Sequence, residues 1–134
     1  MIASGTFSVE FSPIDLAHSG NDQVQLGAME IVKQYSGDLT GEATGTMLSA
    51  LTEVEGSAGY VAIEQFTGSL GELEGGFTLQ HFGTVDNGEE RLLLEIVPDS
   101  GTEELTGIRG EMSITKKRGL HFYEFEYVVE NDEQ

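Results

Sequence analysis

Bulky apolar residues recur at every second position along most of this chain. Phe7-Ser8-Val9-Glu10-Phe11 alternates strictly, and Tyr60-Val61-Ala62-Ile63-Glu64-Gln65-Phe66 does so in its bulky and polar members. The run Phe77-Thr78-Leu79-Gln80-His81-Phe82 keeps the period, as do Phe122, Glu124 and Glu126 set against Tyr123, Phe125 and Tyr127. A period of two sends successive side chains to opposite faces of a strand. The pattern predicts eight strands, at 3–12, 25–36, 40–54, 58–68, 74–86, 90–98, 107–116 and 119–129. Regular strands separated by glycine-rich turns build a sandwich or a barrel. The expectation is an all-β fold, a closed eight-stranded antiparallel barrel that takes up residues 1–134 as one domain. Ser100 stands three residues before Glu103, a capping-box spacing that predicts one short helical turn. Ala17 to Gln23 reads as a loop and Glu130 to Gln134 as a frayed acidic tail.

Three segments share a leucine flanked by glycine near a strand end: Gly37-Asp38-Leu39-Thr40-Gly41, Gly68-Ser69-Leu70-Gly71 and Glu104-Leu105-Thr106-Gly107. Phosphate-cradling loops lead into a helix N-terminus. Here strands follow, so turn and bulge chemistry is the better reading.

Charge narrows the picture. Six basic residues against 24 acidic ones leave a net charge of −18. Nucleic-acid binding draws its affinity from cations on phosphates, so DNA, RNA and anionic membranes are not expected partners. Three of the cations, Lys116, Lys117 and Arg118, are neighbours in one exposed turn. No cysteine is present, which removes disulfides, thiolate nucleophiles and cysteine zinc sites. His18, His81 and His121 lie far apart with no metal-ligand spacing, and no metal or other cofactor is expected. No serine sits in a nucleophile-elbow context. The N-terminal segment has no basic region followed by an apolar stretch, and no run approaches the ~18 apolar residues of a membrane helix. A cytoplasmic protein is expected.

Two hairpins bring chemistry together. A four-residue bend at Gly71–Glu74 would set Glu64 opposite His81, Tyr60 opposite Val85, Ala62 opposite Gly83 and Phe66 opposite Leu79. Directly opposed residues place their Cβ atoms about 5 Å apart. A carboxylate beside an imidazole on an apolar face is the best acid/base candidate, so Glu64 and His81 are the candidate catalytic pair, with Tyr60, Phe66 and Leu79 as ligand-binding walls. The plainer alternative is a buried, mutually satisfied polar pair. In the second hairpin a turn at Lys117-Arg118 would set Arg109 against Glu126, Glu111 against Glu124, Ser113 against Phe122 and Met112 against Tyr123. Arg109 and Glu126 are ligand-binding candidates, since a guanidinium can grip a carboxylate in two hydrogen bonds. Neutralising glutamates across the ladder is the plainer role for Arg109.

Six ordered motifs carry a family resemblance. Ser36-Gly37-Asp38-Leu39-x-Gly41-Glu42, Glu64-x-Phe66-Thr67-Gly68-x-Leu70, Phe77-x-Leu79-Gln80-His81-x-Gly83-Thr84 and Val97-Pro98-x-Ser100-Gly101-Thr102 resemble the bacterial family known as domain of unknown function 3224. Glu104-Leu105-x-Gly107-Ile108-Arg109-Gly110 and Tyr123-x-Phe125-Glu126-Tyr127 extend the match in the same order. The resemblance implies an eight-stranded barrel similar to that of the plant allene oxide cyclases, which confine a reactive epoxide in an apolar cavity. Two readings of function follow. In one, the barrel interior binds a small amphipathic molecule, with isomerase or cyclase chemistry, Glu64 orienting or deprotonating the ligand and His81 as proton partner. In the other, the domain is a non-catalytic interaction module. Val61, Ile63 and Phe82 form the second face of the first hairpin; if that face points outward it is too apolar for exposure, so a homo-oligomer, most simply a dimer, is expected under both.

Overall fold

The computed structural model describes residues 1–130. Its strands are β1 (Ile2–Ile14), β2 (Val24–Gly37), β3 (Leu39–Thr52), β4 (Ala58–Leu70), β5 (Leu73–Asp86), β6 (Glu89–Ile96), β7 (Ile108–Lys117) and β8 (Leu120–Val129). Each pairs antiparallel with its predecessor and β8 closes on β1, so the sheet is a closed barrel in chain order. All eight expected strands are present and begin and end within a few residues of expectation. Of the expected acidic tail, 131–134 lie outside the described residues. Glu130 is tied down, its N–H donating to the Gly107 carbonyl at 3.0 Å.

Both hairpin registers differ from expectation. β4 and β5 turn on Gly71 and Glu72 alone, so Leu70 pairs with Leu73 and Glu64 pairs with Leu79. His81 faces Ala62, Gly83 faces Tyr60 and Val85 faces Ala58. Gly71 supplies a φ of +62°, and a two-residue loop that opens with a left-handed residue matches the twist of the strands better than a longer bend. In the second hairpin the turn is Arg118-Gly119, with φ of +55° and +79°. Arg109 therefore pairs with Val128, Glu111 with Glu126, Ser113 with Glu124 and Met112 with Phe125. Each shift is an even number of residues, so every side chain keeps its face of the sheet.

The short helical turn is a 3-10 turn at Glu103–Leu105, but Ser100 does not cap it. Thr102 is the N-cap residue and makes no capping bond with its side chain. Ser100 and its neighbours instead complete an edge. β6 stops at Ile96, which leaves the first half of β5 without a strand on that side. The 97–107 segment fills the gap: Thr78 N–H donates to Ser100 Oγ at 3.0 Å, Gly76 N–H to Thr102 Oγ1 at 2.9 Å and Glu74 N–H to Glu104 Oε1 at 2.9 Å. Side chains here replace ladder carbonyls, because buried backbone donors must find acceptors.

This end of the barrel is sealed. The three leucines of the sequence repeat, Leu39, Leu70 and Leu105, are 0 %, 2 % and 0 % exposed and plug it over the stacked rings of Phe66, Phe77 and Phe125. Tyr123 clasps the same end, its hydroxyl accepting from Leu39 N–H at 2.8 Å and donating to the Ser36 carbonyl at 3.0 Å. Seven of the eight seams carry at least six residue pairs, but β6 and β7 pair only at Leu94–Met112 and Glu95–Glu111.

Candidate functional site

Midway along the interior a charged group interrupts the apolar packing. Lys33 on β2, Glu64 on β4 and His81 on β5 all occupy inward positions and are 5 %, 1 % and 5 % exposed. β2 and β4 are not neighbours; β3 runs between them, at ~4.8 Å per strand spacing. The pairing explains how their side chains meet. Lys33 faces Ala43 and Glu64 faces Gly45 on β3, and these small residues leave the space that the longer side chains cross. A Cβ at Gly45 would collide with the Ile63 carbonyl and with Glu64 itself.

Glu64 is the hub. Its Oε1 accepts from Lys33 Nζ at 2.8 Å and bonds His81 Nε2 at 2.5 Å, while Oε2 accepts from the Tyr35 hydroxyl at 2.9 Å. Burial alone would raise its pKa, but the hydrogen bond from His81 and the nearby Lys33 charge outweigh that and lower it to about 2. The same burial and the adjoining carboxylate push the Tyr35 hydroxyl well above its ordinary value, so it stays a donor. Lys33 also lies 4.6 Å over the Phe7 ring, a cation–π contact strengthened by desolvation. An ionised carboxylate can only accept hydrogen bonds. Nε2 of His81 therefore carries a hydrogen, and its Nδ1 is the atom left for other chemistry.

Above this hub the barrel is open. A cavity of about 450 Å³ runs from Lys33 and His81 to the mouth, walled by Val9, Ile31, Met47, Tyr60, Leu92 and Ile114 and rimmed by Glu90, Lys116 and His121. No side-chain nitrogen or oxygen among the described residues is both buried and unpaired. His81 Nδ1 has no protein partner, so it reaches the cavity. Tyr60 owes its position to Gly83, its partner on β5, since a Cβ there would strike the Tyr60 ring. Burial and the charges of Glu90 and Glu64 raise the Tyr60 hydroxyl pKa and keep it protonated.

The candidates read from sequence thus divide into three groups. Tyr60 and His81 line the cavity; Glu64 lies beneath its floor and touches it only through Lys33 and His81. Glu64 and His81 do meet, although as diagonal rather than directly opposed residues. Phe66 and Leu79 point inward but belong to the sealed half. Arg109 and Glu126 sit on the outer surface, away from the cavity, where Arg109 pairs with Asp99 at 3.7 Å and Glu130 at 3.5 Å rather than with Glu126. Glu126 faces another glutamate, Glu111, across the ladder. Lys33 and Tyr35 were not singled out by sequence. The signal was present in the phase of β2, where Ile31, Lys33 and Tyr35 share one face, but Val32 beside Ile31 blurs the alternation.

Residues 3–127 match the sequence family described as "Protein of unknown function (DUF3224)". Among solved structures the chain is similar to a protein of unknown function from that family from Shewanella oneidensis MR-1, at 46 % identity over 98 % of each chain and a TM-score of 0.95. A search of curated proteins finds none that matches. No helix is long and apolar enough to cross a membrane among the described residues. The chain belongs to the DUF3224 family.

Proposed function

We propose that the open half of the barrel binds one small amphipathic molecule and that His81 exchanges a proton with it, an isomerase-type activity that uses no cofactor. The observation that carries this reading is His81 itself. Its Nε2–H is held by an ionised buried carboxylate while Nδ1 opens onto an apolar cavity. A carboxylate behind an imidazole fixes its orientation and tautomer, which is how such dyads serve general acid–base catalysis. The role assigned to Glu64 changes accordingly. With a pKa near 2 and no face on the cavity, Glu64 is a positioning residue rather than a base. The volume suits a ligand of modest size, for 450 Å³ equals roughly fifteen waters at ~30 Å³ each. The test is a thermal-shift screen of amphipathic carbonyl compounds, followed by deuterium uptake from D2O into any that bind. Uptake should vanish in His81→Gln while binding persists. Failure of every compound to raise the melting temperature would overturn the reading.

A second reading, self-association, draws on the outer face. Leu48, Val61, Phe82 and Leu93 are paired neighbours on β3, β4, β5 and β6 and are 44–50 % exposed. Together with exposed Ile63 they form an apolar stripe of the kind that monomers rarely leave uncovered. A dimer joined across it should become monomeric in Val61→Lys by light scattering; a native chain that is monomeric at micromolar concentration would dismiss it.

A further inference from the structure

The charge lining the cavity is inverted relative to the rest of the chain. Among the described residues Glu90 is the one acidic side chain that lines the cavity, whereas two of the chain's six cations, Lys33 and Lys116, and two of its three histidines, His81 and His121, do so. Three of the six cations are already engaged. Lys33 is bound to Glu64, Arg109 to Asp99 and Glu130, and Arg91 lies 5.8 Å over the Phe82 ring. Lys116 makes no ion pair among the described residues. It is the cation at the mouth that is free to meet a ligand.

His121 stands directly across the ladder from Lys116 and stacks on Phe7 at 5.0 Å. Phe7 in turn carries Lys33 at 4.6 Å. One aromatic ring thus joins the imidazole at the rim to the ammonium at the floor, and the wall between them is apolar. We infer that the occupant of this cavity is an amphipathic organic anion, with its acidic group between Lys116 and His121 and its apolar body directed inward toward His81. This inference rests on the ligand-binding reading above and adds the class of ligand.

The net charge of −18 does not oppose it strongly. Charges are screened over about 8 Å at physiological ionic strength, so distant carboxylates matter less than the residues of the mouth. Low-dielectric walls strengthen the local field further. The opposing group that counts is Glu90, on the strand beside that of Lys116.

Three probes of one length separate the possibilities: decanoate, decanol and decyltrimethylammonium, titrated calorimetrically into the full chain below micelle-forming concentrations. Decanoate should bind about ten-fold tighter than decanol, and its advantage should shrink as salt is added, as expected of a charge-assisted contact. Lys116→Gln should remove that advantage without changing decanol binding, and Glu90→Gln should increase decanoate affinity several-fold. Opposite signs from two exposed positions cannot come from damage to the fold. Equal binding of decanol, preference for the cation, or an unaffected Lys116→Gln would overturn the anion inference and leave the binding cavity standing. If none of the three binds, both fall.

Discussion

The sealed and open halves of this barrel are made from the same alternating strands, yet they use their interior positions differently. In the sealed half inward residues are large and aromatic, with Phe66, Phe77 and Phe125 stacked beneath the leucine plug. In the open half the same inward positions hold residues that leave about 450 Å³ unfilled. Between them lies the Lys33–Glu64–His81 layer. An eight-stranded barrel is just wide enough to be filled or to leave room for one small molecule; this chain is filled at one end and leaves about 450 Å³ open at the other. Close packing is greatest where the interior is full, whereas the open half presents side chains that line a cavity instead.

That division yields measurable consequences. Glu64→Leu should be among the most damaging changes, costing about 3–5 kcal/mol, because it leaves Lys33 as a buried charge without its counter-ion. Adding Lys33→Met to it should return most of the loss in chemical denaturation; if the pair of changes is as unstable as the single one, the ion pair is not what holds this layer. Phe125→Ala in the sealed half should cost about 3–5 kcal/mol as well, by leaving a cavity in close-packed surroundings. Ile114→Ala in the cavity wall should cost about 1 kcal/mol or less, since the neighbouring space is already empty. Equal losses at 114 and 125 would mean that the two ends do not differ in packing.

Acid should act through the middle layer. Glu64 has a folded pKa of about 2 against an ordinary 4.5, so its contribution to stability is complete above pH 4.5 and lost as pH falls toward 2. The Lys33→Met/Glu64→Leu chain should lose less stability over that interval in acid denaturation, and an identical decline in both would assign the effect to other carboxylates. Tyr123→Phe is expected to cost about 1–3 kcal/mol, from the buried Leu39 N–H that loses its acceptor. A loss under 0.5 kcal/mol would show that this N–H finds water instead.

The eight strands were legible because period-two alternation and glycine-rich turns are local signals; those signals leave sandwich and barrel open, and closure was implied by the family resemblance. The strand phase was legible for the same reason: Glu64 and His81 were placed on one shared apolar face even though the register was two residues off, while alternation alone did not say which face lines the interior. The register was not legible, because Gly71-Glu72-Leu73-Glu74 can turn on two residues or four, and twist decides between them. Lys33 was hidden for another reason. Its partnership with Glu64 spans an intervening strand, and pairwise reading of hairpins does not reach across one. Arg109 was set opposite Glu126 by a hairpin register two residues off, and the structure pairs it with Val128 on the outer surface instead. Its partners Asp99 and Glu130 come from segments that strand periodicity does not describe.

The two-pair seam between β6 and β7 has a consequence for traffic. A cylinder bonded all round would open to its surroundings through the end alone. Here residues 89–93 and 113–117 run past one another without ladder bonds beyond Leu94–Met112, and Leu92 and Ile114 on the two sides both border the hollow interior. Spreading them apart breaks no inter-strand hydrogen bond, so the wall can part sideways like a coat left unbuttoned at the collar while the other seven seams hold. Amide hydrogens there that point into the gap, rather than toward β5 or β8, should exchange with solvent ahead of the rest of the cylinder.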